Sequence, residues 1–160
     1  MCEFVDDKAS VFPFEELQRC MVDVMEEWED FAPFADHPFG SRPVWIGYDP
    51  NGASGKGDSG AISVNAVPMV PGGKFRTIET LRIRGMEFEE QANFIKEITT
   101  RYNVQHIAID GTGIGDAVYQ LVVKFFPQAV KYNYSPVLKR SMVLKMLMVI
   151  RAGRFEFDAG

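Results

Sequence analysis

Asp49 and Asp110 each end a short apolar, strand-like run, V-W-I-G-Y-D at Val44 to Asp49 and H-I-A-I-D at His106 to Asp110, and each opens into a glycine-rich loop. A carboxylate at the carboxyl end of a buried strand projects into the crevice where open α/β sheets place their ligands. Glycines just beyond it let the backbone bend sharply and approach a phosphate closely. Two such carboxylates on neighbouring strands can share divalent cations, because hard ions such as Mg²⁺ take oxygen ligands at roughly 2.0–2.1 Å. The chemistry suggested is metal-assisted work on phosphates. Taken singly, each aspartate also reads as a turn former, since Asp and Asn bond their own backbone and Gly supplies positive φ.

The elements that must hold these residues follow in an informative order. Val44 to Asp49, Ala61 to Val67 and Lys74 to Ile83 read as strands, the last two joined by the P-M-V-P-G-G turn of a hairpin. A helix is expected over Glu87 to Arg101, with Phe88, Ala92, Ile95 and Ile98 on one face. Then come the strand ending at Asp110, a helix over Asp116 to Phe126, a short strand near Ala129 to Tyr132 and a long helix from Pro136 to Arg151. Ser135 suits the N-cap of that last helix and Gly153 its C-terminal end. Its Met142, Leu144, Met146, Leu147, Met148 and Ile150 are expected to be core. This succession is a mixed α/β sheet that opens with an antiparallel meander and continues with parallel strands flanked by helices, the order of the ribonuclease-H-like fold. In that order the first strand is central and the strand after the first helix lies beside it, which would bring Asp49 and Asp110 together.

Residues 1–42 read as a separate lead-in. Phe14, Leu17, Met21, Val24 and Trp28 recur at helical spacing, predicting one acidic amphipathic helix, and the Pro- and aromatic-rich stretch after it reads as an extended connector. The compact domain is expected over 43–160.

With 160 residues, 46% of them apolar, the chain can bury one core. No stretch approaches the ~18 uninterrupted apolar residues of a membrane span, and the N-terminus lacks a signal-peptide pattern, so no membrane partner and a cytoplasmic location are expected. Cys2 and Cys20 are the only cysteines, too few for a disulfide framework or a thiolate zinc site.

The net charge of −5 is unevenly spread. Eleven of the 22 acids lie in residues 1–40, whereas between Asp116 and Glu156 there are seven basic residues and no acid. A locally basic surface can hold a polyanion whatever the total charge. Lys139 and Arg140 start the last long helix and are candidates for contacting DNA phosphates, as is Lys56 in the loop of Gly52, Gly55 and Gly57. Glu79 is a less favoured acid for the site, Asp116 is expected to support the N-terminus of its helix, and His106 is expected to be structural.

These motifs, in this order, resemble the nuclease domain of the large terminase subunit of tailed bacteriophages. The resemblance is carried by I-G-Y-D-P with its G-K-G-D-S-G-A-I continuation (Ile46 to Pro50, Gly55 to Ile62), by I-D-G-T-G-I-G-D (Ile109 to Asp116) and by I-R-A-G-R-F-E-F-D (Ile150 to Asp158). The lead-in Phe4 to Leu17 also looks like the family's segment between ATPase and nuclease. The resemblance implies an Mg²⁺- or Mn²⁺-dependent endonuclease that cuts concatemeric double-stranded DNA, with the small subunit and portal as partners of the full protein, in the cytoplasm of the infected or lysogenic bacterial host. It implies Asp49 and Asp110 as catalytic metal ligands and Asp58 as an accessory acid. The third ligand is expected at Asp158, near the start of a last helix, or beyond the end of a truncated chain. Two ions about 3.5–4 Å apart suffice to activate a water and stabilise the leaving oxygen of a phosphodiester.

Two other functions compete. D-P-N-G-A-S-G-K-G-D-S and D-G-T-G-I-G are compatible with an actin- or sugar-kinase-like nucleotide-binding lobe, although the Walker pattern is absent because Pro50 stands where its first glycine belongs. A non-catalytic DNA-docking module is the other.

Overall fold

The structure, a computed structural model, describes residues 11–50 and 59–160. Its elements are α1 (Phe14–Gln18), β1 (Met21–Val22), α2 (Val24–Glu27), β2 (Pro43–Asp49), β3 (Gly60–Ala66), β4 (Phe75–Ile83), α3 (Phe88–Arg101), β5 (Asn103–Asp110), α4 (Gly115–Val122), β6 (Val130–Tyr132), α5 (Pro136–Arg151) and β7 (Phe155–Asp158). The strands form one mixed sheet in the order β1-β7-β4-β3-β2-β5-β6. The meander β2-β3-β4 is antiparallel, whereas β5 and β6 continue from β2 in parallel. This is the ribonuclease-H-like arrangement expected from the element order.

Period-two alternation decides which side chains reach the site. In β2, Val44, Ile46 and Tyr48 are buried while Trp45 and Asp49 are exposed, and in β5 the buried set is Val104, Ile107 and Ile109. The buried set packs under α3 and α4 through Ala92, Ile95, Ile98, Val118 and Val122. Ile107, Ile109 and Ile95 are wholly enclosed, and burying each such side chain contributes about 1.5–3 kcal/mol. Glu87 starts α3 with a capping box, its side chain accepting from the third-position amide while Glu90 accepts from the Glu87 N–H at 2.8 Å. Tyr48 donates its hydroxyl to the buried Gln91, which ties β2 to α3 one residue before Asp49.

The lead-in departs from the expected single helix. α1 stops at Gln18, and β1 then pairs in parallel with β7, Val22 opposite Asp158. The N–H of Phe157 donates to the Cys20 carbonyl at 3.0 Å, and Asp23 caps α2 by accepting from Met25 N–H at 3.0 Å. Local helical periodicity therefore yields to a long-range pairing that satisfies the backbone of residues 20–22. Trp28 and Phe39 join the same buried cluster as the sheet, and Phe31 packs against it. The Trp28 indole N–H donates at 3.1 Å to the buried Glu156, which also accepts from Arg76 and pairs with Lys74. Burial alone would raise the Glu156 carboxyl, but the hydrogen bonds and charges of Lys74, Trp28 and Arg76 hold it below its ordinary range.

α5 covers the opposite face of the sheet and differs more. Ser135 caps it as expected, accepting from Leu138 N–H at 3.1 Å, and Gly153 follows its end with φ +65°. Yet only Ile150 of the helix is buried, and Val137, Leu144 and Met148 are exposed. Apolar residues run right round this helix, so one sheet face cannot enclose them all. Between α5 and the sheet lies a cavity of about 660 Å³ lined by residues that include Trp45, Phe75, His106, Tyr134, Met146 and Phe155.

Candidate active site

β2 and β5 are parallel neighbours with Tyr48 opposite Ile109, so Asp49 and Asp110 are the next residues at the same end of both strands. Counting back by twos, Trp45 and Gly47 share the Asp49 face, and His106 and Ala108 share the Asp110 face. Trp45 and His106 are register partners whose rings lie 5.7 Å apart, which shows both strands presenting these positions to one side. That side is the one α5 covers.

The charge of Asp110 is felt at Asp49. Partial burial and the like charge of Asp110 raise the Asp49 carboxyl above its ordinary value, and Lys139 partly offsets this. Lys139 comes from the first turns of α5, so the start of that helix lies near enough to Asp49 for its charge to be felt there. Tyr134, just before α5, is also in the field: burial, then Asp110, Asp49 and Tyr132, raise its phenol.

The loop after Asp110 is built around glycines for a steric reason. Asp110 Oδ1 accepts from Thr112 N–H at 2.9 Å, which closes a tight Asx turn, and Gly113 has φ +62°. A Cβ on Gly115 would lie 1.8 Å from the Asp110 carbonyl oxygen and 2.9 Å from its carbon. The start of α4 can approach the acid-bearing strand end only because residue 115 has no side chain. Asp116 stands in the first turn of α4 as expected, paired with Lys131.

Other expected site residues fall elsewhere. Asp158 ends β7, a strand and not a helix, and the sheet order sets β7 three positions from β2. Strand spacing makes that roughly 14 Å across the sheet. Phe157, Thr77, Asn65 and Trp45 form one row of register partners, so Asp158 also stops about three residues, roughly 10 Å, short of the level of Asp49. Asp158 is exposed and accepts from Gly160 N–H at 3.3 Å. The structure therefore does not bring Asp158 to the acid pair, because its strand lies beyond β4, between β4 and the edge strand β1. Glu79 turns to the other face, accepting from the Tyr102 hydroxyl and pairing with Arg101 at 3.2 Å. Arg140 is exposed on α5 beside Lys139. Asp58 and Lys56 lie outside the described residues. Tyr134 went unnoticed in the sequence, where a lone tyrosine before a helix carries no signal.

Among the described residues, no three His, Cys, Asp or Glu side chains converge as a metal cluster. Among the described residues, the candidate donors at this strand end are two carboxylates from adjacent strands. That suffices for a hard divalent ion that keeps several waters and takes further oxygens from a substrate phosphate.

Comparison with known proteins defines the class. A family model described as the terminase RNaseH-like domain matches residues 46–160. In structure, the chain resembles the large terminase nuclease of thermophilic phage G20c crystallised with bound magnesium, with TM-score 0.68, 18% identity, 94% of this chain and 75% of that chain covered. It also resembles the P22 large terminase nuclease domain, with TM-score 0.61, 11% identity, 93% of this chain and 72% of that one covered. The fold is that of terminase nuclease domains. The chain belongs to the terminase RNase H-like domain family. It is 60% identical over 158 residues to the terminase ATPase subunit of Escherichia phage P2 and 39% identical over 159 residues to the probable terminase ATPase subunit of Haemophilus phage HP1. Each match takes in 99% of this chain and 26% of the relative, so the chain spans about a quarter of their length.

Proposed function

We propose that this chain is the nuclease domain of a phage DNA-packaging terminase and hydrolyses phosphodiester bonds in double-stranded DNA with Mg²⁺ or Mn²⁺. The observation that carries the reading is the pairing of Asp49 with Asp110 at the same end of parallel neighbours, within a terminase nuclease fold. Asp49 and Asp110 are the residues that would hold the metal, which when bound supplies an activated water and stabilises charge on the leaving oxygen, in a one- or two-ion site. The rest of the work belongs to placement. β2 and β5 hold two carboxylates on one rigid face, and the Asx turn at Thr112 keeps that of Asp110 fixed. Lys139 presents a positive charge beside the pair, where a scissile phosphate would sit, and Arg140 next to it adds a second cation for the backbone. Asp58 and Lys56, in the loop between β2 and β3, stay candidates for an accessory acid and a phosphate contact. The small subunit and portal are proposed partners of the full-length protein, and the host-cell interior its place of action. Family membership favours this reading over a nucleotide-binding lobe.

Incubating the chain with supercoiled plasmid tests the proposal. Nicked and linear products are expected with Mn²⁺ or Mg²⁺ and none with EDTA; intact plasmid at every metal concentration would favour the DNA-docking alternative. The basic face has its own readout. Each lost phosphate contact flattens the log–log salt dependence of DNA affinity by roughly 0.9. Arg140→Ala is expected to weaken binding to all duplexes alike and to reduce the slope by about that amount. An unchanged slope would remove Arg140 from the DNA path.

A further inference from the structure

Lys139 needs something to hold it. A lysine on an exposed helix surface has a flexible four-carbon stem and many rotamers, so proximity to Asp49 is not by itself a fixed position. The structure supplies a seat. The Lys139 ammonium lies 5.7 Å from the centroid of the Tyr134 ring, within the ≈6 Å over which an aromatic face attracts a cation. Tyr134 is in turn stacked on Tyr132, centroids 6.4 Å apart and planes 8° from parallel. Tyr132 is built into the sheet: it is the register partner of Asp110, and its carbonyl accepts from Gly111 N–H at 2.8 Å. A continuous set of contacts thus runs from Asp110 through Tyr132 and Tyr134 to Lys139.

We propose that Tyr134 is a positioning residue whose ring holds the Lys139 ammonium at the acid pair, and so sets the charge that Asp49 and Asp110 present to a divalent cation and to a phosphate. The inference rests on the proposed metal site at Asp49 and Asp110. The seated ammonium competes with an incoming cation while no DNA is bound, and becomes a phosphate contact when DNA arrives. The same residue therefore weakens metal binding and strengthens substrate binding, a pair of opposite signs that a merely structural residue does not produce.

The test is calorimetric titration of the chain with MnCl₂ in the absence of DNA, beside steady-state cutting of plasmid. Lys139→Met keeps most of the stem and removes the charge, so Mn²⁺ should bind roughly three- to tenfold tighter, the effect of one nearby positive charge on a dication in high dielectric, while KM for DNA rises. Tyr134→Leu, which removes the aromatic face, should move both quantities in the same directions. Tyr134→Phe keeps the face and should hold Mn²⁺ affinity within about twofold of wild type. The double variant Tyr134→Leu with Lys139→Met should differ little from Lys139→Met alone, because residues acting as a unit are not additive. Unchanged Mn²⁺ affinity in Lys139→Met overturns the proposal, as does a Tyr134→Leu variant that matches Tyr134→Phe. If Mn²⁺ binding survives Asp49→Ala at wild-type strength, the acid-pair reading itself fails and this inference goes with it, so the two failures are distinguishable.

Discussion

Asp49→Ala and Asp110→Ala should each abolish divalent-dependent plasmid cutting while the protein stays folded. Each substitution removes one of the two proposed carboxylate donors, so the loss should exceed the roughly 10–100-fold that follows removal of an outer-shell partner alone. Stability should move the other way. Partial burial and Asp110 raise the Asp49 carboxyl above its ordinary value of 3.8. A carboxyl raised on folding contributes stability below its unfolded value, and that contribution is lost as pH rises through the folded value. At neutral pH the metal-free protein therefore carries a destabilising charge pair, and Asp49→Ala should melt no lower than wild type in EDTA, with Mn²⁺ raising the midpoint only of wild type. A variant that cuts at the wild-type rate in Mn²⁺ would remove that residue from the site.

Gly115→Ala should be the most damaging single-methyl change near the site. Ala is favoured over Gly in a helix by about 1 kcal/mol, which argues for stabilisation. The new Cβ would meet the Asp110 carbonyl oxygen at 1.8 Å, however, and a backbone atom cannot swing aside as a side-chain end does. Overpacking of this kind costs about 1–3 kcal/mol in an ordinary core, and here the upper end or beyond applies because β5 itself must shift. The shift displaces Asp110, so Mn²⁺ affinity should fall with the melting temperature. Gly111→Ala is the contrast. Its Cβ would meet Cγ and Cδ of Lys131 at 2.1 and 2.3 Å, atoms of a flexible side chain that can move away. Thermal melts and Mn²⁺ titrations of both variants decide the matter: equal effects would show that the Gly115 approach to Asp110 is not what constrains the strand end.

Local chemistry made the centre of the molecule legible. The apolar runs ending at Asp49 and Asp110, the helical spacing of Phe88, Ala92, Ile95 and Ile98 in α3 and the Ser135 cap are short-range signals, and each of these elements forms where its signal stands. The adjacency of the two acids followed from element order alone, since parallel neighbours with equal register carry their last residues side by side. What failed was set by distant partners. Residues 14–28 have helical periodicity, but β1 is specified by β7, more than 130 residues away, and nothing near Met21 announces it. Asp158 fits a motif in the sequence, yet its position depends on β7 pairing between β4 and β1, three strands from β2. The apolar composition of α5 suggests burial, although residues distributed round a helix cannot all face one sheet. Lys139 and Arg140 were legible only as part of an acid-free stretch, whereas the approach of Lys139 to Asp49 and its seat on Tyr134 required the turn between β6 and α5.

Asp49 and Asp110 are proposed to bind a divalent cation together. Crystals of the chain soaked in MnCl₂ and measured at a wavelength where manganese scatters anomalously test it most directly. An anomalous peak is expected between the two carboxylates, lost in Asp49→Ala and Asp110→Ala crystals. Peaks at other carboxylates with none at this pair would contradict it.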